Sequence, residues 1–469
     1  MFRRALVGFL AALLAACTAG EPYRRPDLPL PPVWRGPDAA SLASSVDGAA
    51  WWQAFDNPEL QRLEALALAA NPDLQIAISR MLAARAGVAI AQAQKSVQVN
   101  FGAAPVDAIA VSAANRKSGL YGLAFSARYE IDFWGRIARS VDAAGAVHEA
   151  SVFDAGTIQI GLQTQVARTY FKVRELDELA ALQTQRLLLL RDKQTLAQLR
   201  QSAGRTNLEP VATAAAEASA AETLFAQQQG ERAQTILQLA LLLGQTPESL
   251  DIAVAPLRTG VRLPPLPAAL PGSIIERRPD ILAAEQRLRE AHADVGVARA
   301  ALLPTISLDA ELGVVSGPLS APLRGNRGLF GIGPELDYPI LDGGRRDAEL
   351  DARQHARDAA VAEYRKAVLV ALGDVESALL TRDAARQQGE RLTLAEQQDA
   401  VSAARLEAAL AAGRSSRLAT LVSKDRALDR AAAAISNYRD QLDAALALFA
   451  ALGGGWTVAQ LPLPTSAPD

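Results

Sequence analysis

The chain has 469 residues, and its 48 basic and 51 acidic side chains give a net charge of −3. This balance disfavours a nucleic-acid partner, because such partners select basic surfaces. One cysteine, three histidines and no Gly-rich phosphate loop at a strand-to-helix turn leave few groups for catalysis or metal binding. We therefore expect no enzymatic activity, no metal and no cofactor.

The first residues are typical of an export signal. Arg3 and Arg4 precede an apolar run, Ala5–Ala16, that is too short to span a bilayer. The signal peptide is therefore predicted at residues 1–16. No run of about 18 uninterrupted apolar residues follows it. Any later membrane crossing must then use strands.

Cys17 directly follows this signal. The sequence Leu14-Ala15-Ala16-Cys17 resembles the lipobox at which bacterial lipoproteins are cleaved and acylated. Cys17 is the only cysteine and can form no intramolecular disulfide. We expect it to be acylated; the alternative is an ordinary signal peptide with a chance cysteine. Thr18 follows where an inner-membrane lipoprotein commonly has Asp, so the resemblance implies sorting to the outer membrane.

The rest of the chain is a tandem repeat of one unit, and equivalent positions are separated by roughly 207 residues. Five landmarks recur in order: Asn71-Pro72-Asp73-Leu74 as Arg278-Pro279-Asp280-Ile281, Glu130-Ile131-Asp132-Phe133 as Glu335-Leu336-Asp337-Tyr338, Gly135-Arg136 as Gly344-Arg345, Gly204-Arg205 as Gly413-Arg414, and Leu243-Gly244 as Leu452-Gly453. The predicted domains are an N-terminal segment at 17–58, a first repeat at 59–255, a linker at 256–270, a second repeat at 271–455 and a tail at 456–469.

Each repeat is predicted to run helix, strand, strand, long helix, turn, helix. The first helices begin at Pro72 and Pro279, because proline is tolerated in the first helical turn. The long helices, at about 137–199 and 345–411, are rich in good helix formers and would extend roughly 90 to 100 Å. Both end at a glycine, Gly204 or Gly413. Side chains of 206–207 and 415–416 are expected to cap the returning helices.

Four predicted strands alternate apolar and polar residues, as in a transmembrane barrel wall. A soluble four-stranded sheet packed on helices would show the same period. In a bilayer, four strands leave unpaired edges, so the chain must oligomerise, and a trimer would supply about twelve strands. Six carboxylates on the polar faces are expected to line a cation-preferring lumen: Glu130, Asp132, Asp309, Glu311, Glu335 and Asp337.

These motifs, together with Trp51-Trp52 and Phe55 before Leu60, resemble the TolC-like outer-membrane efflux proteins, and among them the NodT-like lipoprotein subgroup. The resemblance covers essentially the whole mature chain. It implies an α+β membrane protein: a homotrimer with a twelve-stranded outer-membrane barrel continued by a helical barrel through the periplasm. It also implies two partners, a periplasmic adaptor and an energy-supplying inner-membrane pump.

In the family, the hairpin tips contact the adaptor and narrow into a closed aperture. The resemblance assigns the contact to Ala203, Gly204, Arg205, Ala412, Gly413 and Arg414. Ala419 and Val422 occupy positions where many members have aspartates, so we expect no aspartate ring. The candidate aperture residues are instead Glu209, which could pair with Arg414 or Arg417, and an apolar closure at Leu418 and Leu421.

Three alternatives remain at this stage. The first is the exit duct of a type I protein secretion system. A lipid-tethered periplasmic coiled coil would need only the helices, and the amphipathic strands disfavour it. An enzyme could use Glu335 and Asp337 as an acid/base pair, but similar pairs recur on other strands and fit a wetted lumen better. The sequence does not identify the cargo. It contains only two methionines, which argues against a copper-specific duct, because thioether ligands select Cu(I).

Overall fold

The computed structural model describes residues 21–34, 48–106, 120–265, 276–316 and 327–461. The predicted signal peptide and the predicted acylation site, Cys17, lie outside these residues. The long elements of the first repeat are α1 (Pro58–Ala70), α2 (Pro72–Ala93), β1 (Gln98–Val106), β2 (Leu120–Glu130), α3 (Arg136–Ser202) and α4 (Glu209–Leu242). Those of the second are α5 (Pro279–Ala300), β3 (Thr305–Ser316), β4 (Arg327–Asp337), α6 (Arg345–Ala411) and α7 (Arg417–Ala451).

The predicted element order is confirmed from Pro72 onward in the first repeat and from Pro279 onward in the second, whereas α1, which precedes Pro72, was not predicted. Helices α3 and α6 have 67 residues each, which corresponds to about 100 Å at 1.5 Å per residue. Short 3-10 segments lie at Gly48–Phe55, Pro247–Ser249 and Val458–Gln460. The predicted linker begins as a one-turn helix, Leu257–Gly260, whose Leu257 is fully buried.

The four strands form one antiparallel sheet in the order β1-β2-β3-β4. Sequential strands are therefore neighbours, and the pairing of β2 with β3 joins the two repeats. Within the single chain, β1 and β4 are the outer strands of this sheet.

The chain divides into two compact units. The first contains Ser79–Val152 and Ala283–Lys366 with the segment up to Leu28, and so holds the sheet. The second contains Pro29–Ile78, Phe153–Leu282 and the chain from Ala367 onward. Its core includes Trp51 stacked on Phe449 at a ring-centroid distance of 5.6 Å, with Phe55 packed beside both. Aromatic burial of this kind is a large stabilising contribution in a core.

The first and the last of the five repeat landmarks are explained by one contact that both halves make. In the first, the Asn71 side-chain amide donates to the backbone oxygen of Leu242 at 2.9 Å. In the second, Arg278 occupies the Asn71 position and donates to the backbone oxygen of Ala451 at 3.1 Å. The residue before the Pro-Asp pair thus ties the start of each repeat to the end of its last helix.

Glycine is required at the other side of this contact. Gly244 has φ +64°, and a Cβ there would lie 2.2 Å from the Ala70 backbone oxygen. Its counterpart Gly453 has φ +92°, and a Cβ would lie 3.0 Å from the Arg277 oxygen. Left-handed backbone and close approach both exclude larger residues.

One described helix, α2, is long and apolar enough to cross a membrane, judged by length and composition alone. Core helices of many proteins have the same character. Arg80 and Arg85 interrupt its apolar sequence, so it contains no uninterrupted apolar run of the kind sought in the sequence.

Candidate functional site

The sheet has one apolar and one polar face, and the register aligns them across all four strands. Phe101, Phe125, Leu312 and Phe330 stand opposite one another in a single row. The Phe101 and Phe125 rings are 4.9 Å apart. The next row, on the other face, contains Asn100, Ser126, Glu311 and Gly331. Because side chains alternate along a strand, this register separates the two faces along the whole sheet.

Arg128 lies among the carboxylates of the polar face. Its Nε is 3.4 Å from an Asp309 oxygen, and its Nη2 is 3.3 Å from a Glu335 oxygen. Glu311 and Asp337, on the same face, have no charged partner within the described part of the chain. The polar face therefore has an excess of negative charge.

Two of the six predicted lumen carboxylates have a different environment. Strand β2 ends at Glu130, and Glu130 makes a double hydrogen bond with Arg136 at 2.8 and 2.7 Å. Asp132 lies past the strand and accepts from the backbone N–H groups of Ile137 and Ala138 at 3.0 and 2.7 Å. It therefore caps the start of α3, where a negative charge is stabilised.

The second repeat starts its long helix differently. The turn there is four residues longer, and Asp342 accepts from the backbone N–H of Gly344 at 3.0 Å and of Arg346 at 3.3 Å. Glu335 and Asp337, the counterparts of Glu130 and Asp132, stay on strand β4. The repeats thus use the same Glu-X-Asp motif for helix capping in one half and for the sheet face in the other.

The two hairpin tips are built alike. Gly204 and Gly413 have φ of +69° and +71°, as predicted for helix-terminating glycines. The backbone N–H of Arg205 donates to the oxygen of Arg200, and that of Arg414 to the oxygen of Ala409. Ala203, Gly204 and Arg205 are exposed, as are Ala412, Gly413 and Arg414.

The helices that return from the tips are capped unequally. The Ser416 side chain accepts from the N–H of Ala419, as expected. The predicted capping at 206–207 is wrong: α4 begins at Glu209, with Leu208 before it and no side-chain cap. Pro210 in the first turn explains the difference, because it has no N–H to satisfy.

The aperture candidates are distributed in a way that the sequence did not predict. Arg417 pairs with Asp192 of α3 at 2.8 Å, and Glu209 has no ion-pair partner among the described residues. Leu421 is only 7% exposed, so its side chain packs within the chain and cannot supply an apolar closure. Leu418 is half-buried.

The sequence analysis also did not predict a second set of ion pairs between α3 and α7. Arg186 of α3 contacts Asp425 at 2.9 Å and Asp429 at 2.6 Å, both on α7. The i, i+4 spacing of the two aspartates places them on one helix face. That spacing was the available signal, but it does not identify the partner helix.

The segment that follows the predicted lipidation site packs on α5. Glu285 accepts hydrogen bonds from Arg25 and Arg289, and the Arg289 guanidinium lies 5.0 Å from the centre of the Tyr23 ring. His292 is hydrogen-bonded to the backbone oxygen of Glu21 at 2.8 Å. Burial opposes ionisation of Glu285, but its hydrogen bonds outweigh that effect and lower its pKa.

Within the described ranges, no cluster of three or more His, Cys, Asp or Glu residues could hold a metal ion. The features that distinguish the molecule are therefore a two-faced sheet with open edges and two exposed helical tips. If such a sheet lies in a bilayer, its open edges need neighbouring strands to pair with.

The comparisons agree on one family. The family model described as "Outer membrane efflux protein" matches residues 63–245 and 270–454. The chain is 31% identical over 464 residues to "Outer membrane protein OprJ" of Pseudomonas aeruginosa, covering 95% of each chain. It is 32% identical over 461 residues to "Pyoverdine export outer membrane protein OpmQ" of the same organism, again covering 95% of each.

The solved structures agree. The outer-membrane channel OprN superposes with a TM-score of 0.84 at 28% identity, covering 94% of this chain and all of that one. The tandem repeat, the small antiparallel sheet and the long helices are therefore those of an outer-membrane channel, which confirms the predicted fold class. The chain belongs to the outer membrane efflux protein family.

Proposed function

We propose that three copies of this chain form an exit duct through the outer membrane. The observation that carries the proposal is the sheet: its two outer strands, β1 and β4, have one unpaired edge each within the chain. In hydrocarbon, unpaired backbone groups are too costly, so strands can span only as a closed barrel. Pairing β4 of one copy with β1 of the next closes a ring, and three copies supply twelve strands.

In a closed barrel, one face of the sheet contacts lipid and the other lines the lumen. The apolar row that contains Phe125 and Leu312 faces lipid, and the polar row that contains Ser126 and Glu311 faces the lumen. The negative lumen carboxylates in this arrangement are Asp309, Glu311, Glu335 and Asp337. Glu130 and Asp132 serve the start of α3 instead.

The cargo class is small molecules. OprJ and OpmQ are outer membrane proteins, and the name of OpmQ states pyoverdine export. Another relative, TtgC of Pseudomonas putida, is named as a toluene efflux pump outer membrane protein. Small-molecule export is therefore favoured over type I protein secretion. The duct is passive and catalyses no reaction; an inner-membrane pump supplies the energy and a periplasmic adaptor joins the two.

The N-terminal segment and the hairpin tips have distinct roles. Acylated Cys17 anchors the chain in the outer membrane, and the Tyr23–Arg25 segment, held by Glu285, fixes the anchor to α5. The exposed tips at Gly204 and Gly413 contact the adaptor. Their cationic residues, Arg205 and Arg414, follow the glycines at equivalent positions and give both hairpins the same contact chemistry.

A cell-based efflux assay tests this proposal. Cells that lack this protein but retain its adaptor and pump should accumulate a fluorescent pump substrate, and the parent chain should restore export. The R205E/R414E variant should insert in the outer membrane yet fail to restore export, whereas R365E, an exposed change on α6 away from the tips, should restore it. Failure of the parent chain to lower accumulation would contradict the proposed function.

A further inference from the structure

A small cavity in the unit that holds the sheet is lined by three arginines and a histidine. Its volume is about 130 Å³, and its wall includes Arg139 of α3, His292 and Arg299 of α5, and Arg357 of α6. Pockets for drug-sized ligands are larger, at roughly 300 to 1,000 Å³. The cavity therefore suits a group the size of a phosphate.

The positive charge of this cavity is only partly compensated. Arg139 lies 3.7 Å from Asp142, whose side chain is 62% exposed, and Arg357 pairs with its neighbour Asp358 at 2.7 Å. Arg299 makes no ion pair within the described ranges. Glu21 is the one acidic residue of the wall, and its backbone oxygen is engaged by His292. An anion would find unsatisfied donors here.

A glycine makes room for one of the arginines. A Cβ at Gly296 would lie 3.1 and 3.2 Å from Arg139 Cγ and Cδ, tighter than ordinary van der Waals contact. Because Gly296 has no side chain, the Arg139 stem lies directly against α5. The position of Arg139 thus depends on a residue that contributes no charge.

The cavity lies next to the membrane-spanning strands in the chain. Arg139 is in the first turn of α3, and Arg299 is in the last turn of α5, just before β3 begins at Thr305. Glu21 is four residues beyond Cys17, a reach of at most about 14 Å. An acyl chain on Cys17 would therefore hold this wall at the membrane surface.

We propose that the cavity binds the phosphate of an anionic phospholipid headgroup in the periplasmic leaflet of the outer membrane. Guanidinium groups bind phosphate oxygens in a bidentate manner, and basic pockets beside membrane spans recognise such headgroups. The inference rests on the proposed outer-membrane function, and it adds a specific lipid contact that stabilises the junction between the sheet and α3 and α5.

Native mass spectrometry of the delipidated full-length protein tests the proposal with phosphatidylglycerol, phosphatidylcholine and inorganic phosphate as probes. The parent should retain phosphatidylglycerol in preference to phosphatidylcholine. R139Q/R299Q should weaken this binding about tenfold, which corresponds to ~1.4 kcal/mol. R345Q removes an exposed arginine from the first turn of α6, outside the cavity wall, and should bind like the parent.

A further variant and a competition experiment complete the test. G296V retains every charge but displaces Arg139, so it should also weaken phosphatidylglycerol binding, and it carries the test if the double variant does not assemble. Equal binding by the parent and both variants would overturn the proposal. Displacement of phosphatidylglycerol by millimolar inorganic phosphate would overturn the lipid assignment and indicate a free-phosphate site.

Conductance of the same preparations in phosphatidylcholine bilayers distinguishes failure of the proposed lipid site from failure of the proposed duct. A parent protein that conducts but shows no preference for phosphatidylglycerol contradicts only the lipid site. A parent protein that forms no conducting channel, even with an opened periplasmic end, contradicts the proposed duct itself.

Discussion

Arg128 of β2 stands directly opposite Asp309 of β3, with its Nε 3.4 Å from the Asp309 Oδ1. The same guanidinium reaches Glu335 of β4 at 3.3 Å. One cation thus bridges the strands of the two repeats on the polar face and partly neutralises its carboxylates.

Replacing Arg128 should make the duct more selective for cations. R128Q removes the cation that contacts Asp309 and Glu335 on the lumen face, which also carries Glu311 and Asp337, so positive ions should be concentrated there. Reversal potentials in a salt gradient across a planar bilayer should shift toward the cation equilibrium potential. E311Q, on the same face, should shift them in the opposite direction. A shift toward anions in R128Q would show that this face does not line the lumen.

The apolar face should tolerate charge poorly. Phe125 is 54% exposed in the single chain and is assigned to lipid, so F125R should cost about 2 to 4 kcal/mol near the bilayer midplane. S126R, the adjacent residue on the polar face, is the matched control and should cost much less. Denaturant unfolding from lipid vesicles measures both. Equal costs would indicate a soluble sheet rather than a membrane wall.

Gly244 should be far less replaceable than Gly204, although both have positive φ. G204A should cost about 1 to 2 kcal/mol for the left-handed backbone alone, because a Cβ there meets nothing within 4 Å. G244A adds an overlap with the Ala70 oxygen at 2.2 Å and should lower the thermal midpoint considerably more. The thermal midpoints of the assembled protein provide the comparison, and similar values for both would contradict the contact.

The pair between Arg417 and Asp192 should hold the second hairpin against α3. Both side chains are more than half exposed, so the pair contributes about 0 to 1 kcal/mol to stability. Three copies that open together could still affect gating. R417A and D192A should raise single-channel conductance to a similar extent, and the double variant should do little more.

E209A tests the pairing predicted from the sequence alone. Glu209 has no ion-pair partner among the described residues, so E209A should conduct like the parent. If E209A opens the duct and D192A does not, Arg417 exchanges its partner in the assembly, and the closing contact lies between copies.

Glu64 should make stability depend on pH. It is fully buried in α1, neither carboxyl oxygen has a hydrogen-bond partner among the residues that the structure describes, and burial raises its pKa well above the ordinary value. The unfolded chain releases this proton at lower pH than the folded chain does. Stability should therefore fall as pH rises above the ordinary pKa of a glutamate.

E64Q should remove this fall, whatever constant cost the buried amide adds. E59Q on the same helix is the control of opposite sign, because the hydrogen bond from Arg62 lowers the pKa of Glu59. The stabilisation that Glu59 contributes is lost as pH falls. Thermal midpoints between pH 4 and pH 8 distinguish the two, and a parallel pH profile for parent and E64Q would contradict the assignment.

The sequence was most informative where a residue acts through its own backbone. Gly204 and Gly413 end their helices because of conformational freedom, which does not depend on partners. The two faces of the strands could also be predicted, since alternation along a strand places Phe125 and Ser126 on opposite sides of the sheet. The repeat pattern identified five landmarks, although the contact between Asn71 and Leu242 that explains the first and the last of them is visible only in the structure.

The sequence was least informative where two distant residues must meet. Asp132 and Asp337 occupy equivalent positions, but the longer turn in the second repeat transfers the capping role to Asp342. The partner of Arg417 is 225 residues away, and no local pattern selects Asp192 over Glu209. The cationic cavity combines residues from three helices, so no single segment indicates it.

The central claim is that four strands per chain become a closed wall only when three copies assemble. Native mass spectrometry of the full-length protein extracted from outer membranes in detergent measures this directly. The expected result is an assembly of three chains, each with the mass of a chain that starts at an acylated Cys17. A folded monomer, with β1 and β4 stable in detergent without a neighbour, would contradict the claim.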